Sequence, residues 1–381
     1  MLDPAWFVRL CGDQGITLYT GVPDSLLKQL NAEIMHTLPR RQHIIAANEG
    51  AAVGIAIGHY LRTATPGLVY LQNSGFGNAV NPLMSLADPD VYGIPMLVLV
   101  GWRGQVGVPD EPQHVKQGRV MDDLLDALDL PWAVLPKESA DAAQCLKTAV
   151  TTAVERSSPY ILMVEKGTFA DASNMDLGHK EPTEELPSRE EALVALAEAV
   201  GDGVTIVSTT GMLSRELFEH RQRSGTDGSR DFLTVGGMGH ACSIALGLAM
   251  NEPDREVWCL DGDGAALMHL GSLAVIADHA PSTYFHVVFN NGVHDSVGAQ
   301  PTSISAVDVP ATARALGYRY ARATADISTI SDAVAQMRAN AGPALLELRV
   351  RPGNRPGIGR PTRTPRESKQ TFMSALRAGS T

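Results

Sequence analysis

Residues 257–264 read Val-Trp-Cys-Leu-Asp-Gly-Asp-Gly, and Asn290-Asn291-Gly292 follows after 25 intervening residues. A short apolar run feeding a Gly–Asp turn predicts a strand, Val257–Leu260, with a helix opening just beyond it. A second apolar run, from Tyr284 to Phe289, ends on the two asparagines. Two strand ends therefore present one carboxylate and one or two amide oxygens to the same place. Oxygen donors of this kind suit Mg2+, which binds through few protein carboxylates and leaves positions for water and phosphate. Gly262 and Gly264 let backbone N–H groups approach a diphosphate at a helix N-terminus. The bland alternative is an ordinary strand–turn–helix, because Gly-Asp-Gly alone is common.

Taken together, the two halves resemble the thiamine-diphosphate-binding motif, Gly-Asp-Gly followed at this spacing by Asn-Asn. The resemblance implies that Asp263 and the Asn291 side chain hold Mg2+, with the backbone carbonyl of Val293 as a third protein ligand. It also implies a glutamate that meets the aminopyrimidine ring of the cofactor, a job that requires an apolar setting and a raised pKa. Glu49 fits. It follows the strand-like run His43-Ile44-Ile45-Ala46 and opens a small-residue helix, Gly50-Ala51-Ala52. Its other reading is a first-turn carboxylate favoured by the helix dipole. In enzymes of this kind the glutamate comes from the partner subunit, which implies a homodimer or homotetramer with active sites at the subunit interface. Three further segments fall to the cofactor by the same resemblance. Thr209, Thr210 and Gly211 follow one strand and suit a diphosphate. Gly236 and Met238 follow the next, and Met238 is either a wedge between the two cofactor rings or a plain core methionine. Gln72 and Asn73 sit at a strand C-terminus, where open α/β sheets place ligands.

More of the chain carries a narrower likeness. Thr20-Gly21-Val22-Pro23-Asp24-Ser25, Asn48-Glu49-Gly50, Gln72-Asn73-Ser74-Gly75-Phe76-Gly77-Asn78, Gly101-Trp102-Arg103-Gly104, Asp110-Glu111-Pro112-Gln113-His114 and Gly298-Ala299-Gln300-Pro301-Thr302 together resemble the phosphonopyruvate decarboxylase family. The resemblance implies non-oxidative loss of CO2 from a small anionic 2-oxo acid, giving phosphonoacetaldehyde for phosphonate and antibiotic biosynthesis. The sulfopyruvate decarboxylases, and other 2-oxo acid decarboxylases of the same kind, are the alternatives. Candidate substrate contacts lie in loops of the first half: Asp24, Ser25, Arg103, His114 and Lys116. Arg103 suits bidentate recognition of an anion, although each of the three cations also reads as an ion-pair partner. Asp24 is either a proton donor near the departing carboxylate or a turn and N-cap residue after Pro23. His114 is a candidate proton carrier, and so are His294 and Asp295 just past the metal loop, although His294 also reads as a structural histidine.

The elements that must position these residues alternate. Short apolar runs at Tyr19–Thr20, His43–Ala46, Gly67–Gln72, Met96–Val100 and Tyr160–Val164 are separated by helical stretches such as Gly50–Arg62 and Ala140–Arg156. The same plan resumes at Thr205–Ser208, Phe232–Val235, Val257–Leu260, Phe285–Phe289 and Ala344–Val350. This predicts an α/β fold of two doubly wound parallel-sheet domains without a middle domain. A pyrimidine-binding domain is expected over 1–170, a polar linker over 171–188 and a diphosphate- and Mg-binding domain over 189–381. The last thirty or so residues are rich in Pro and Arg and read as either a solvated tail or a segment folding over the site.

A net charge of −11 excludes a general nucleic-acid or anionic-membrane binder. No phosphate loop follows the first strand, where Gly21-Val22-Pro23-Asp24 stands instead, so a kinase or dehydrogenase reading fails. The four cysteines lack paired spacing and read as reduced thiols, and the N-terminus lacks a basic, apolar leader, so a cytoplasmic location is expected.

Overall fold

The computed structural model describes residues 1–171 and 186–378. The chain divides into two compact units, residues 1–178 and 179–381. Most of the expected linker lies outside the described residues.

In the first unit, β1 (Tyr19–Gly21), β2 (His43–Ile45), β3 (Gly67–Gln72), β4 (Met96–Gly101), β5 (Trp132–Val134) and β6 (Pro159–Val164) form one sheet in the order β2-β1-β3-β4-β6-β5. Every pairing is parallel. The middle strands are buried along almost their whole length, as expected of a parallel sheet covered by helices on both faces. Alternation along β4 shows the two layers. Leu97 and Leu99 join Phe7, Leu30 and Leu146 on one face, while Val98 and Val100 join Val53, Phe76 and Leu83 on the other. Each of these side chains contributes about 1.5–3 kcal/mol by leaving water.

The second unit repeats the plan. β7 (Thr205–Ser208), β8 (Asp231–Leu233), β9 (Val257–Gly262), β10 (Tyr284–Asn290), β13 (Tyr320–Thr324) and β14 (Ala344–Arg349) pair in parallel in the order β13-β14-β10-β9-β7-β8. β11 (Val293–His294) and β12 (Gln300–Pro301) form a small antiparallel hairpin outside the sheet. Trp258 and Leu260 face one core, and Val257 and Cys259 face the other.

Strand order locates the ligand ends of both sheets. After β2 the chain crosses β1 to place β3 on its other side, and after β8 it crosses β7 in the same way to place β9. Each sheet thus has a switch point, β1/β3 in one and β7/β9 in the other, where connections leave in opposite directions and open a crevice at the strand C-termini.

Two strands of the sheets escape the sequence reading. β5 is a three-residue strand at a sheet edge, and β13 interleaves Arg and Thr with Ala, so neither shows a clean apolar run. Residues 186–188 pair with the exit from the last strand: Ser188 bridges Arg351, and the Arg351 amide donates to the Pro187 carbonyl at 2.8 Å. Ser188 and Glu191 then close a capping box on the helix Arg189–Val200.

The Pro- and Arg-rich segment is docked on its own unit. It ends in the helix Pro365–Ala378, whose Phe372 is buried against Phe232 with ring centroids 5.3 Å apart. Arg230 donates to the Ala375 carbonyl, and Arg355 pairs with Glu190 and Glu219. All four cysteines are free thiols. No helix among the described residues is long and apolar enough to cross a membrane.

Candidate active site

The β1/β3 switch point gathers most of the polar candidates of the first unit. Asp24, on the loop after β1, is fully buried. Its carboxylate accepts from Gln72 Nε2 at 2.6 Å and from the Leu26 amide at 3.1 Å. The local turn, not a helix N-cap, absorbs Asp24, because the next helix opens at Lys28 behind Leu27. Burial raises the Asp24 pKa; the Gln72 bond and the positive charge of Arg103 offset only part of that. Gly101 at the end of β4 lies against this carboxylate, and a Cβ there would collide with it. Asn73 donates to the Arg103 carbonyl at 2.7 Å and accepts its amide at 3.1 Å, so the ends of β3 and β4 are tied together.

Arg103 is already engaged. Its guanidinium forks onto Asp110, and Nη1 donates to Ser25 Oγ at 2.8 Å. Its pKa rises, chiefly through the bond to Asp110. Asp110 also accepts the amides of Gly104 and Glu111. Although burial works against it, these bonds hold its carboxyl well below the usual range. His114 is buried beside them, with Nδ1 lacking a partner, and burial followed by the charge of Arg103 lowers its pKa. Lys116, two residues on along the same helix, points to solvent and stands apart from the cluster.

Glu49 is the first residue of the helix Glu49–Thr63, which Asn48 caps through the Ala51 amide at 2.9 Å. The glutamate is 5 % exposed and accepts from Asn78 Nδ2 at 2.7 Å. Gly75 packs directly on its carboxylate, leaving no room for a side chain. Burial raises the Glu49 pKa, and the bonds from Asn78 and from its own backbone amide offset it only in part. A carboxyl held this way keeps a proton further up the pH scale than an exposed glutamate.

In the second unit the β7/β9 switch point places two turns side by side. The Thr209 amide donates to the Leu260 carbonyl at 2.8 Å, and Ser214 Oγ donates back to the Thr209 carbonyl at 2.7 Å. Thr210 and Gly211 follow, and Gly211 adopts φ +106° at the mouth of the helix Met212–Ser224, a conformation that glycine allows. Gly262 ends β9, and Asp263 begins the next helix, 4 % exposed. Asp263 Oδ2 accepts from Thr302 Oγ1 at 2.7 Å. Burial lifts its pKa to about 6 against the bonds from Thr302 and the Gly264 and Gly292 amides. The Gly292 bond brings the asparagine loop onto the carboxylate.

Asn291 turns Nδ2 to Asp295 at 2.7 Å and accepts the Val293 amide on Oδ1 at 3.1 Å. Asn290 is spent on structure, donating to Glu347 and accepting the Gly292 amide. His294 lies over Gly264 together with the methyl end of Met238, so any side chain at position 264 would meet the ring. Burial lowers the His294 pKa to about 4, which leaves it neutral at pH 7. Gly236 and Met238 stand in the loop before the helix Ala241–Asn251. The donors at the Asp263 turn and the asparagine loop, a carboxylate, an amide oxygen and main-chain carbonyls, match a hard divalent cation.

Thr302, Asn78 and Asp110 make direct contacts to these residues, yet the sequence reading assigns them no role. The only available signal was their place inside the quoted segments, since Thr302 reaches Asp263 across 39 positions of chain.

The model of the thiamine pyrophosphate enzyme N-terminal TPP binding domain matches residues 5–126, and that of the C-terminal TPP binding domain matches residues 209–348. The two matches define the class, a protein with both binding domains for thiamine diphosphate. The chain is 38% identical to phosphonopyruvate decarboxylase of Streptomyces viridochromogenes over 372 residues, 94% of this chain and 91% of that one. It is equally similar, 38% over 371 residues covering 94% and 90%, to phosphonopyruvate decarboxylase of Streptomyces hygroscopicus. Sulfopyruvate decarboxylase of Methanosarcina acetivorans is 26% identical over 392 residues, 97% of this chain and 96% of that one. The chain belongs to the phosphonopyruvate decarboxylase family of thiamine pyrophosphate enzymes.

Proposed function

We propose that the protein is a carboxy-lyase that uses thiamine diphosphate and Mg2+ to convert 3-phosphonopyruvate to phosphonoacetaldehyde and CO2. The observation that carries this reading is 38% identity along nearly the full length to phosphonopyruvate decarboxylases. The residues of the two switch points support it. When bound, thiamine diphosphate supplies the carbon nucleophile and the electron sink for loss of CO2.

In this reading the second-unit domain holds the diphosphate and the metal. Asp263, Asn291 Oδ1 and the Val293 carbonyl hold Mg2+, while Thr209, Thr210, Gly211, Gly262 and Gly264 face the diphosphate. Gly236 and Met238 support the rings. The first-unit domain holds the pyrimidine, with Gln72 and Asn73 at its edge. Glu49, whose carboxyl is buried and inclined to keep its proton, exchanges that proton with the ring nitrogen of the aminopyrimidine. Asp24, whose pKa burial raises, is placed to give a proton beside an anionic substrate. Ser25, Arg103 and His114 receive the anionic tail, while Lys116, exposed on the same helix as His114, is left out of that role. Arg103 is pre-aimed by Asp110, which leaves part of its fork available and lowers the entropy lost when it binds an anion. His294, neutral at pH 7, is available to pass a proton near Met238 and Gly264.

The two domains belong to an enzyme that works as a homodimer or homotetramer, with Glu49 reaching the cofactor of a partner chain. The helix that carries Glu49 supports this. Its outer face shows Ala51, Gly54, Gly58 and Leu61, with Leu61 71 % exposed, and its one charge, Arg62, stands in the last turn.

Incubating the protein with Mg2+, thiamine diphosphate and phosphonopyruvate, sulfopyruvate or pyruvate in parallel tests the reading through CO2 release. Preferred turnover of phosphonopyruvate, with phosphonoacetaldehyde formed, is the expected result. Preferred turnover of sulfopyruvate would keep the chemistry and overturn the substrate.

A further inference from the structure

Three segments far apart in the chain converge on one carboxylate of the second unit. Asp295 Oδ2 accepts from Asn291 Nδ2 at 2.7 Å and from Arg189 Nη1 at 2.8 Å, and Oδ1 accepts the Gly353 amide at 3.1 Å. The Asp295 side chain is 7 % exposed. Arg189 is the first residue of the helix that begins the second unit, and its fork is fixed on the other side by two bonds to Glu216. Gly353 lies just past β14, in the stretch that pairs with residues 187–188 through Arg351.

We infer that Asp295 is a positioning residue for Asn291: it fixes which end of the Asn291 amide faces the metal loop. A carboxylate accepts and cannot donate, so it takes the NH2 end of the neighbouring amide and turns the oxygen away. The Asn291 oxygen is thereby committed to the side of the loop that carries the Val293 amide and, through Gly292, Asp263. Arg189 holds Asp295 in place, and Gly353 closes its second oxygen. The helix that opens this unit and the exit from β14 are thus clamped to the loop that would hold the cation. Asp295 touches neither substrate nor cofactor in this assignment; it acts through Asn291. The inference rests on the proposed Mg2+ site.

The test is calorimetric titration of thiamine diphosphate into the full-length protein at stepped MgCl2, for the wild type, Asp295→Ala and Asp295→Asn. Partners of this kind, which orient a metal ligand, are worth about 10–100-fold in metal affinity. In Asp295→Ala, the Mg2+ concentration giving half-maximal cofactor binding should rise by at least about tenfold. In Asp295→Asn, which retains one acceptor oxygen, the rise should be smaller. Turnover at saturating Mg2+ should stay near the wild-type value in both. A merely structural role would lower the melting temperature and leave the Mg2+ requirement unchanged, so an unchanged requirement in folded Asp295→Ala overturns the inference. If that variant does not fold, an unchanged requirement in Asp295→Asn has the same meaning. Absence of Mg2+-dependent binding in the wild type would overturn the proposed function itself, and is read before any variant is compared.

Discussion

Glu49, Asp24 and Asp263 share one physical condition: a carboxyl taken out of water with too few donors to hold its charge, so that each pKa rises. Buried and perturbed groups of this sort concentrate where chemistry is done. For Asp263 the consequence for stability can be worked out. Its folded pKa, about 6, exceeds the ordinary 3.8, so the folded chain holds a proton that the unfolded chain has already lost. The cost is absent below pH 3.8, grows through that window and is complete above about 6, where it amounts to about 3 kcal/mol in the metal-free protein. Metal-free Asp263→Asn should therefore be more stable than the wild type in urea at pH 7.5, and the difference should vanish near pH 4. The same variant should lose Mg2+-dependent cofactor binding; unchanged affinity would remove Asp263 from the metal site. Glu49→Gln keeps the shape and the Asn78 contact but cannot exchange a proton. Its turnover should fall by about 10²–10⁴-fold with thiamine diphosphate still bound, and undiminished steady-state CO2 release would deny Glu49 its part.

Apart from His114 and Lys116 on the helix Pro112–Arg119, the functional candidates sit on element termini or loops, most of them at the C-terminal ends of the strands, and the interiors of the elements supply the rigidity. The switch points explain why Gln72 can meet Asp24, and why Thr209 can meet the strand leading to Asp263. The short apolar strands and Gly-rich turns were visible in the chain because parallel strands covered on both faces must be continuously apolar. The edges were not, because β5 and β13 are only partly buried and carry little pattern. The Arg-rich segment was ambiguous for a related reason. Its docking depends on a single aromatic, Phe372, and on ion pairs that composition does not locate. Phe372→Ala should cost roughly 3 kcal/mol, read as a drop in the urea midpoint of the second unit. An unshifted midpoint would mean that the helix Pro365–Ala378 contributes nothing to that unit.

At the scale of the molecule, the proposed roles divide between two units: Glu49 in the first and Asp263 with Asn291 in the second. If each site of a homodimer takes its glutamate from one chain and its metal ligands from the other, two inactive variants should complement. Mixed Glu49→Gln and Asp263→Ala chains, unfolded and refolded together, form hybrids in half of the dimers. Each hybrid has one site with both residues intact, so about a quarter of wild-type activity should return. CO2 release no higher than in either variant alone would place both residues of each site in the same chain.

The sequence by itself determined the α/β alternation, the Gly-Asp-Gly and Asn-Asn strand ends, and Glu49 at a helix start, because these depend on local spacing and on which residue types a turn or a buried strand tolerates. It could not determine that Arg103 is already paired with Asp110, that Thr302 bonds Asp263, or that Arg189 and Gly353 meet on Asp295. Those contacts join residues through the crossing of strands and the closing of loops. Hydrogen-bond geometry decides them within a few tenths of an ångström, and only the folded chain sets distances that fine.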